Sequence, residues 1–182
     1  MPTRCSNRER PSASSSSCRD ASDVTSPDTA AIRAAQHIGL DHEVRVIERA
    51  RTVEEAAQRL GVPVERLLKT LVVRRADDDF LFVLVPGPRQ IDWPKLRAHL
   101  GVSRLSMPDA VVARDVTGYE RGAITPLGSI RQWPVLADAS IQGVGVVTIG
   151  GGAHGVSLRV DADELIATLD AEVADVTTRG GG

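Results

Sequence analysis

Two β-forming runs dominate the middle of the chain, residues 68–75 (LKTLVVRR) and 79–85 (DFLFVLV), parted only by Ala76-Asp77-Asp78. Neither run holds a glycine or proline, and both are rich in β-branched, leucine or aromatic positions. Such residues suit a pleated backbone, and a short Asp-rich connection suits a tight turn, so the pair predicts a β-hairpin. A chain built on this hairpin has to arrange its remaining elements around a sheet.

Those elements read as a mixture. Asp28 is placed to cap a helix carrying Ala31, Ile32, Ala35 and Ile38, closed by Gly39. Residues 43–47 suit a short strand. Thr52 and Glu55 have capping-box spacing and open a second helix that ends at Gly61, after which Pro63 starts a brief helical turn. Asp92 caps a helix with Pro94 near its start and Gly101 at its end, and residues 108–114 suit another. Strands are expected over 134–138, 144–149 and 173–176. Val156, Leu158 and Val160 alternate as in a strand, and residues 161–169 suit a helix. No regular βαβ alternation and no internal repeat is present. The pattern predicts an α+β domain around an antiparallel or mixed sheet.

The 182 residues suit one domain with a tail. Residues 1–27 are rich in Ser, Arg and Pro, hold almost nothing apolar, and are expected to be disordered. They lack the apolar stretch of a secretory signal. The domain is expected over 28–177, with a loose Gly-rich C-terminus over 178–182.

Composition narrows the chemistry. Cys5 and Cys18 both lie in the tail, so the domain has no cysteine nucleophile, thiolate zinc site, iron–sulfur cluster or disulfide framework. A cytoplasmic location is the expectation. His37, His42, His99 and His154 show no metal-ligand spacing, and neither metal nor cofactor is expected. No apolar run reaches the length of a membrane span, so no membrane partner is expected. A net charge of −2 argues against DNA or other bulk-charge nucleic-acid binding. That total hides a basic middle. Residues 63–131 carry eleven basic and eight acidic side chains, whereas 160–182 carry one and six. Arg66, Arg74, Arg75, Arg121 and Arg131 are candidate phosphate contacts. The basic set also contains only two lysines, Lys69 and Lys95. Arginine and lysine are not interchangeable, so a lysine in so arginine-rich a chain marks a position to inspect.

Three segments bear on function. Gly150-Gly-Gly-Ala-His-Gly155 has the spacing of a dinucleotide fingerprint, but that motif needs a helix next, and Val156-Ser-Leu-Arg-Val160 reads as a strand. A glycine turn between two strands is the better reading. Lys69-Thr70, at the start of a strong β run, is either an exposed strand end or a compact charge at a pocket rim. Residues 117–128 (TGYERGAITPLG) are either a long surface loop or a rigid loop offering backbone groups to a small polar ligand.

With LLKTLVV at 67–73, TGYERGAITPLG at 117–128, and IGGGAHGVSLRV followed by DADELIATL at 149–169, the chain resembles the YbaK family. These are free-standing relatives of the editing domain inserted in bacterial prolyl-tRNA synthetases, and the likeness runs from about residue 29 to 177. It implies a central mixed, largely antiparallel sheet curled toward a barrel with flanking helices. It also implies an aminoacyl-tRNA deacylase that cleaves the ester of a mischarged tRNA, with an aminoacyl-tRNA synthetase as a potential partner. The family's lysine falls on Lys69, which would contact the terminal adenosine's phosphate or the ester region. The backbone around Gly122 would hold the α-amino group and the developing oxyanion. Thr70, Gly118, Tyr119, Thr125, Pro126, Gly128, Gly151, Gly152 and His154 follow as substrate-binding positions. The attacking group would be water, or the thiol of a cysteinyl substrate itself. Ala123 and Thr125 replace a glycine and a serine of the family loop. Ile47 and Ser157 stand where members specific for cysteinyl-tRNA carry a tyrosine and an acid, which leaves cysteine and other small amino acids open as substrates. A non-catalytic tRNA- or protein-binding module of the same fold is the alternative.

Overall fold

The computed structural model describes residues 27–180, so the tail expected over 1–27 lies, but for Pro27, outside the described residues. In chain order the elements are α1 (Ala30–His37), β1 (Glu43–Val46), α2 (Val53–Leu60), β2 (Leu68–Ala76), β3 (Asp79–Pro86), β4 (Arg89–Ile91), α3 (Trp93–Leu100), α4 (Ala110–Thr117), β5 (Val135–Asp138), β6 (Val146–Gly150), β7 (Val156–Asp161), α5 (Ala162–Thr168), β8 (Glu172–Ala174) and β9 (Thr177–Arg179). Single turns of tighter helix at Val64–Arg66 and Ala139–Ile141 join them.

Short polar side chains start the helices, Asp92 and Thr52 as their spacing predicts. Asp92, Asp109 and Asp161 accept from the freed amides of α3, α4 and α5. α1 differs from expectation. Its cap is Thr29, whose hydroxyl accepts from the Ile32 amide at 3.2 Å, while Asp28 pairs with Arg33 at 2.6 Å. At α2 the Thr52 hydroxyl accepts from Glu55 N at 3.1 Å, and the Glu55 carboxylate reaches back to Arg51 N at 2.8 Å, one residue before the cap.

The central hairpin pairs β2 with β3, Lys69 opposite Val85 and Val72 opposite Phe82. β3 continues into a parallel pair with β5, and β5 into one with β8, giving the order β2-β3-β5-β8. A second sheet, β1-β7-β6, is antiparallel throughout. Gly150 pairs with Ser157 across the β6–β7 hairpin, so a strand follows the glycine turn and the dinucleotide reading fails on structure as it does on pattern. A parallel bridge from Leu67 to Thr148 joins the two sheets at a corner, and the assembly curls without closing. The fold is α+β around mixed, largely antiparallel sheet.

β3 explains how the core is divided. Side chains alternate across a strand, so Phe80, Phe82 and Leu84 enter one cluster with Leu68, Val72, Ile149 and Leu158. Leu81, Val83 and Val85 enter another with Val73, Leu136 and Leu96 of α3. β4 and β9 form a separate antiparallel pair, Arg89 opposite Arg179 and Ile91 opposite Thr177. Neither short strand was expected, because three residues carry no readable periodicity. β9 also carries the ordered chain past the boundary expected at 177, through residues expected to be loose.

Candidate functional site

β2 is the edge of its sheet, and beside it lies a cavity of about 620 Å³. The cavity is bounded by the end of β1 and the approach to α2, by the start of α4, by the loop at Arg121 and Gly122, and by the glycine turn. Main-chain N–H and C=O of Arg74 turn away from β3, bonding Ser106 at 2.8 and 3.2 Å. By the two-residue repeat of an antiparallel ladder, the same groups of Thr70 and Val72 face the cavity edge. The Thr70 hydroxyl is buried and has no hydrogen-bond partner within the protein, in a cavity whose wall it shares. A buried polar atom in this position is suited to a polar group on a ligand.

Lys69 and its neighbour Thr70, Gly122 and His154, from three distant parts of the sequence, all line this cavity. The Lys69 ammonium donates to the Arg89 carbonyl at 2.5 Å. Burial pushes its pKa below the ordinary lysine value, against the opposing effect of nearby Glu54. Gly122 has φ +94°, a conformation that side-chain-bearing residues rarely adopt. The His154 ring lies over it and pairs through Nε2 with the Glu120 carboxylate at 3.2 Å.

The other expected binding positions do not line the cavity, and their contacts are internal. Tyr119, 5% exposed, donates its hydroxyl to the Leu127 carbonyl at 2.7 Å, and burial pushes its pKa up to about 12. Thr125 is buried, and its hydroxyl accepts from the Leu127 amide at 3.4 Å. Pro126 is also buried, its carbonyl accepting from Ser129 N at 3.5 Å. Gly118 caps α4, and Gly128 packs on α1 at Ala30. Gly151 bonds Val156 through its amide and Thr29 through its carbonyl. Gly152, at φ +82°, lies so close to the Tyr119 ring that a methyl there would stand 2.8 Å from Cε1. These residues hold the 117–128 loop and the glycine turn against α1 and against each other. The neighbouring Gly150 and Gly155 are the glycines of the turn that reach the cavity.

Electrostatics shift the phosphate candidates. Arg74 and Arg75 are paired with Asp77 and Asp79 at the hairpin end, and Arg131 lies over the Trp133 ring at 5.4 Å. Arg121 alone of the five lines the cavity, joined by Arg49 and Arg51, which the sequence reading missed. None of these three forms an ion pair among the described residues. The available signal was two arginines flanking Ala50 directly before a helix cap. Ile47 and Ser157 both line the cavity, and Ser157 donates to the Arg45 carbonyl at 3.4 Å.

Among the described residues no group of three or more His, Cys, Asp or Glu side chains is placed to hold a metal ion, and no helix is long and apolar enough to cross a membrane.

Comparison with known proteins bears on what this cavity is for. The chain is 24% identical over 128 residues to an Enterococcus faecalis protein named "Putative Cys-tRNA(Pro)/Cys-tRNA(Cys) deacylase EbsC", covering 70% of this chain and 78% of that one. It is 36% identical over 141 residues to the proline–tRNA ligase of Syntrophotalea carbinolica, covering 72% of this chain but only 24% of the ligase. A crystal structure titled as a "putative trans-editing enzyme for prolyl tRNA synthetase" superposes with TM-score 0.74 at 28% identity, covering 86% of this chain and all of that one. The aminoacyl-tRNA editing domain family matches residues 47–168, a span that holds the cavity-lining Lys69, Thr70, Gly122 and His154. The chain therefore belongs to the aminoacyl-tRNA editing domain family, whose chemistry is hydrolysis of the aminoacyl ester.

Proposed function

We propose that the protein is a trans-editing deacylase that removes a small, wrongly attached amino acid from tRNA, of the Cys-tRNA(Pro) type or a close relative. The observation that carries the reading is the meeting of Lys69, Gly122 and His154 around one cavity at the edge of β2, in a chain of the editing family. A volume of about 620 Å³ suits an aminoacylated terminal nucleoside.

Cleavage needs the nucleophile to add to the ester carbonyl, the carbonyl oxygen to carry the resulting negative charge, and the C–O bond to break with the ribose oxygen taking up the proton that the nucleophile gives off. Gly122 offers its main-chain N–H to the developing oxyanion, since no acceptor within the described residues takes it. Lys69 supplies a compact positive charge for the terminal phosphate or the ester region. Thr70, with its unpartnered hydroxyl and outward main chain, fixes the polar part of the substrate. The nucleophile is water, or the substrate thiol where the amino acid is cysteine. The protein's contribution is then orientation and charge stabilisation. Ile47 and Ser157 give their part of the cavity wall neutral groups, which suits a small neutral amino acid.

Arg49, Arg51 and Arg121 at the same cavity give the acceptor strand of aminoacyl-tRNA its phosphate contacts, with the cytoplasm as the working compartment and a synthetase as the source of the mischarged substrate. A deacylation panel with tRNAs carrying cysteine, alanine, serine, threonine and proline tests the reading. Rapid release of one of them supports it and names the amino acid. Release of none, with RNA binding intact, points to a binding module instead.

A further inference from the structure

The position of Lys69 is set from a distance. Its ammonium donates to the Arg89 carbonyl at 2.5 Å, and Arg89 opens β4, whose sheet partner is β9. The Arg89 guanidinium runs to Thr177 at the start of β9, with Nε 2.5 Å from the hydroxyl and Nη2 3.2 Å from the carbonyl. Thr177 is fully buried and gives its hydroxyl hydrogen to Asp138 at 2.8 Å. That direction is forced, because a guanidinium can only donate and an ionised carboxylate can only accept. Asp138, 1% exposed at the end of β5, also accepts from the amides of Val176 at 3.2 Å and Ser140 at 3.1 Å, and stands 3.6 Å from Arg89 Nε. A continuous path thus runs from a buried carboxylate, through a hydroxyl and a guanidinium, to the carbonyl that receives the Lys69 ammonium.

The need for such a path is physical. Lysine has a long flexible stem, and ordering it costs rotamer entropy. A three-residue strand pair exposed to solvent would fray if only its own ladder held it. A buried network whose members are all satisfied resists both.

We propose that Asp138 and Thr177 are positioning residues for deacylation. They lock β4 to β9, and so hold the Arg89 carbonyl that anchors the ammonium of Lys69, a residue of the cavity wall. This rests on the role given to Lys69 in the deacylase reading. It also makes β9, which lies beyond the matched span of 47–168, a working part of the site.

The chain's two lysines make the test direct. Protein labelled with ¹³C,¹⁵N-lysine shows two side-chain signals, and Lys95→Arg assigns them. Thr177→Val keeps the shape but removes the hydroxyl. It is expected to move the Lys69 signal and to lower kcat for deacylation about tenfold or more, with KM for aminoacyl-tRNA within about twofold. Asp138→Asn is expected to act in the same direction, and Thr177→Ser to restore both readouts. If Asp138→Asn does not fold, the Thr177 pair decides alone. A folded Thr177→Val protein with an unmoved Lys69 signal overturns the proposal, as does a kcat loss that Thr177→Ser does not restore. A wild-type protein that releases no amino acid overturns the deacylase reading instead, and the Lys69 signal still decides the positioning.

Discussion

The imidazole of His154 lies directly against Gly122: a methyl group on Gly122 would stand 3.4 Å from His154 Cε1 and 3.7 Å from Nδ1. This contact joins the 117–128 loop to the glycine turn between β6 and β7, and it fixes the outer wall of the cavity. A methyl on Gly122 would make only ordinary contact with the ring, so the obstacle to a side chain there is backbone strain at φ +94°. Gly122→Ala keeps the main-chain N–H but strains the backbone that aims it, and is expected to lower single-turnover deacylation by up to about a hundredfold, the order seen when an oxyanion donor is removed. The melting temperature should fall only modestly, since left-handed strain for one residue costs about 1–2 kcal/mol. Near-wild-type turnover would remove Gly122 from the mechanism.

Lys69→Ala is expected to fold and to lose most deacylation, by about a hundredfold or more in kcat/KM. Lys69→Arg should not restore it, because the planar fork cannot replace a compact ammonium bonded to the Arg89 carbonyl. Steady-state kinetics beside a circular-dichroism melt separates lost chemistry from lost fold.

Charge removal at Arg49, Arg51 and Arg121 should act on binding and leave the chemical step alone. The plot of log affinity for aminoacyl-tRNA against log salt is expected to flatten by about 0.7 per arginine that meets a single-strand phosphate. Fluorescence titrations of the single and triple Ala variants at several salt concentrations measure this. An unchanged slope in the triple variant would place the RNA path elsewhere.

Tyr119→Phe tests the scaffold reading of the loop. The Leu127 carbonyl loses its donor, which should cost about 1–2 kcal/mol of stability while kcat holds near wild type. The pH dependence has a definite sign. The folded tyrosine keeps its proton to about 12 against an ordinary value near 10, so its ionisation favours the unfolded chain between those values. Stability present below pH 10 is lost as pH rises toward 12, and Tyr119→Phe should soften that alkaline decline in urea melts.

Asp138 should govern the acid side. Burial works to raise its pKa, but the hydrogen bonds from Ser140, Thr177 and Val176 outweigh burial and leave it below the ordinary carboxylate value. A lowered folded pKa means stability present above the unfolded value, near 4, and lost as pH falls through the folded one. Asp138→Asn is expected to be less stable at neutral pH and to show a flatter acid limb below about pH 4. A parallel acid limb in wild type and variant would show that another group controls it.

Local rules carried much of the fold. The β2–β3 hairpin, the Asp92 cap of α3 and the strand after the glycine turn were all legible, because periodicity and capping act within a few residues. Lys69, Gly122 and His154 were legible through motifs, but their meeting in one cavity depends on how the two sheets curl together at Leu67 and Thr148. Arg49 and Arg51 gave no motif, and only the path of β1 beside β7 places them at the cavity.

Tyr119, Thr125 and Gly152 mark the boundary most clearly. The sequence set them in functional segments, yet the fold turns them inward, where packing takes up the groups that a binding role would need. The support of Lys69 was not legible at all. Arg89 and Thr177 lie 88 positions apart, and no local pattern reports a hydrogen bond across that separation. What the sequence alone determined is what short-range backbone preference encodes: the longer elements, some of their caps and the chemical character of three segments. Tertiary structure decided which of those side chains reach the cavity and which hold it in place, because burial and long-range hydrogen bonding exist only once the sheets have come together.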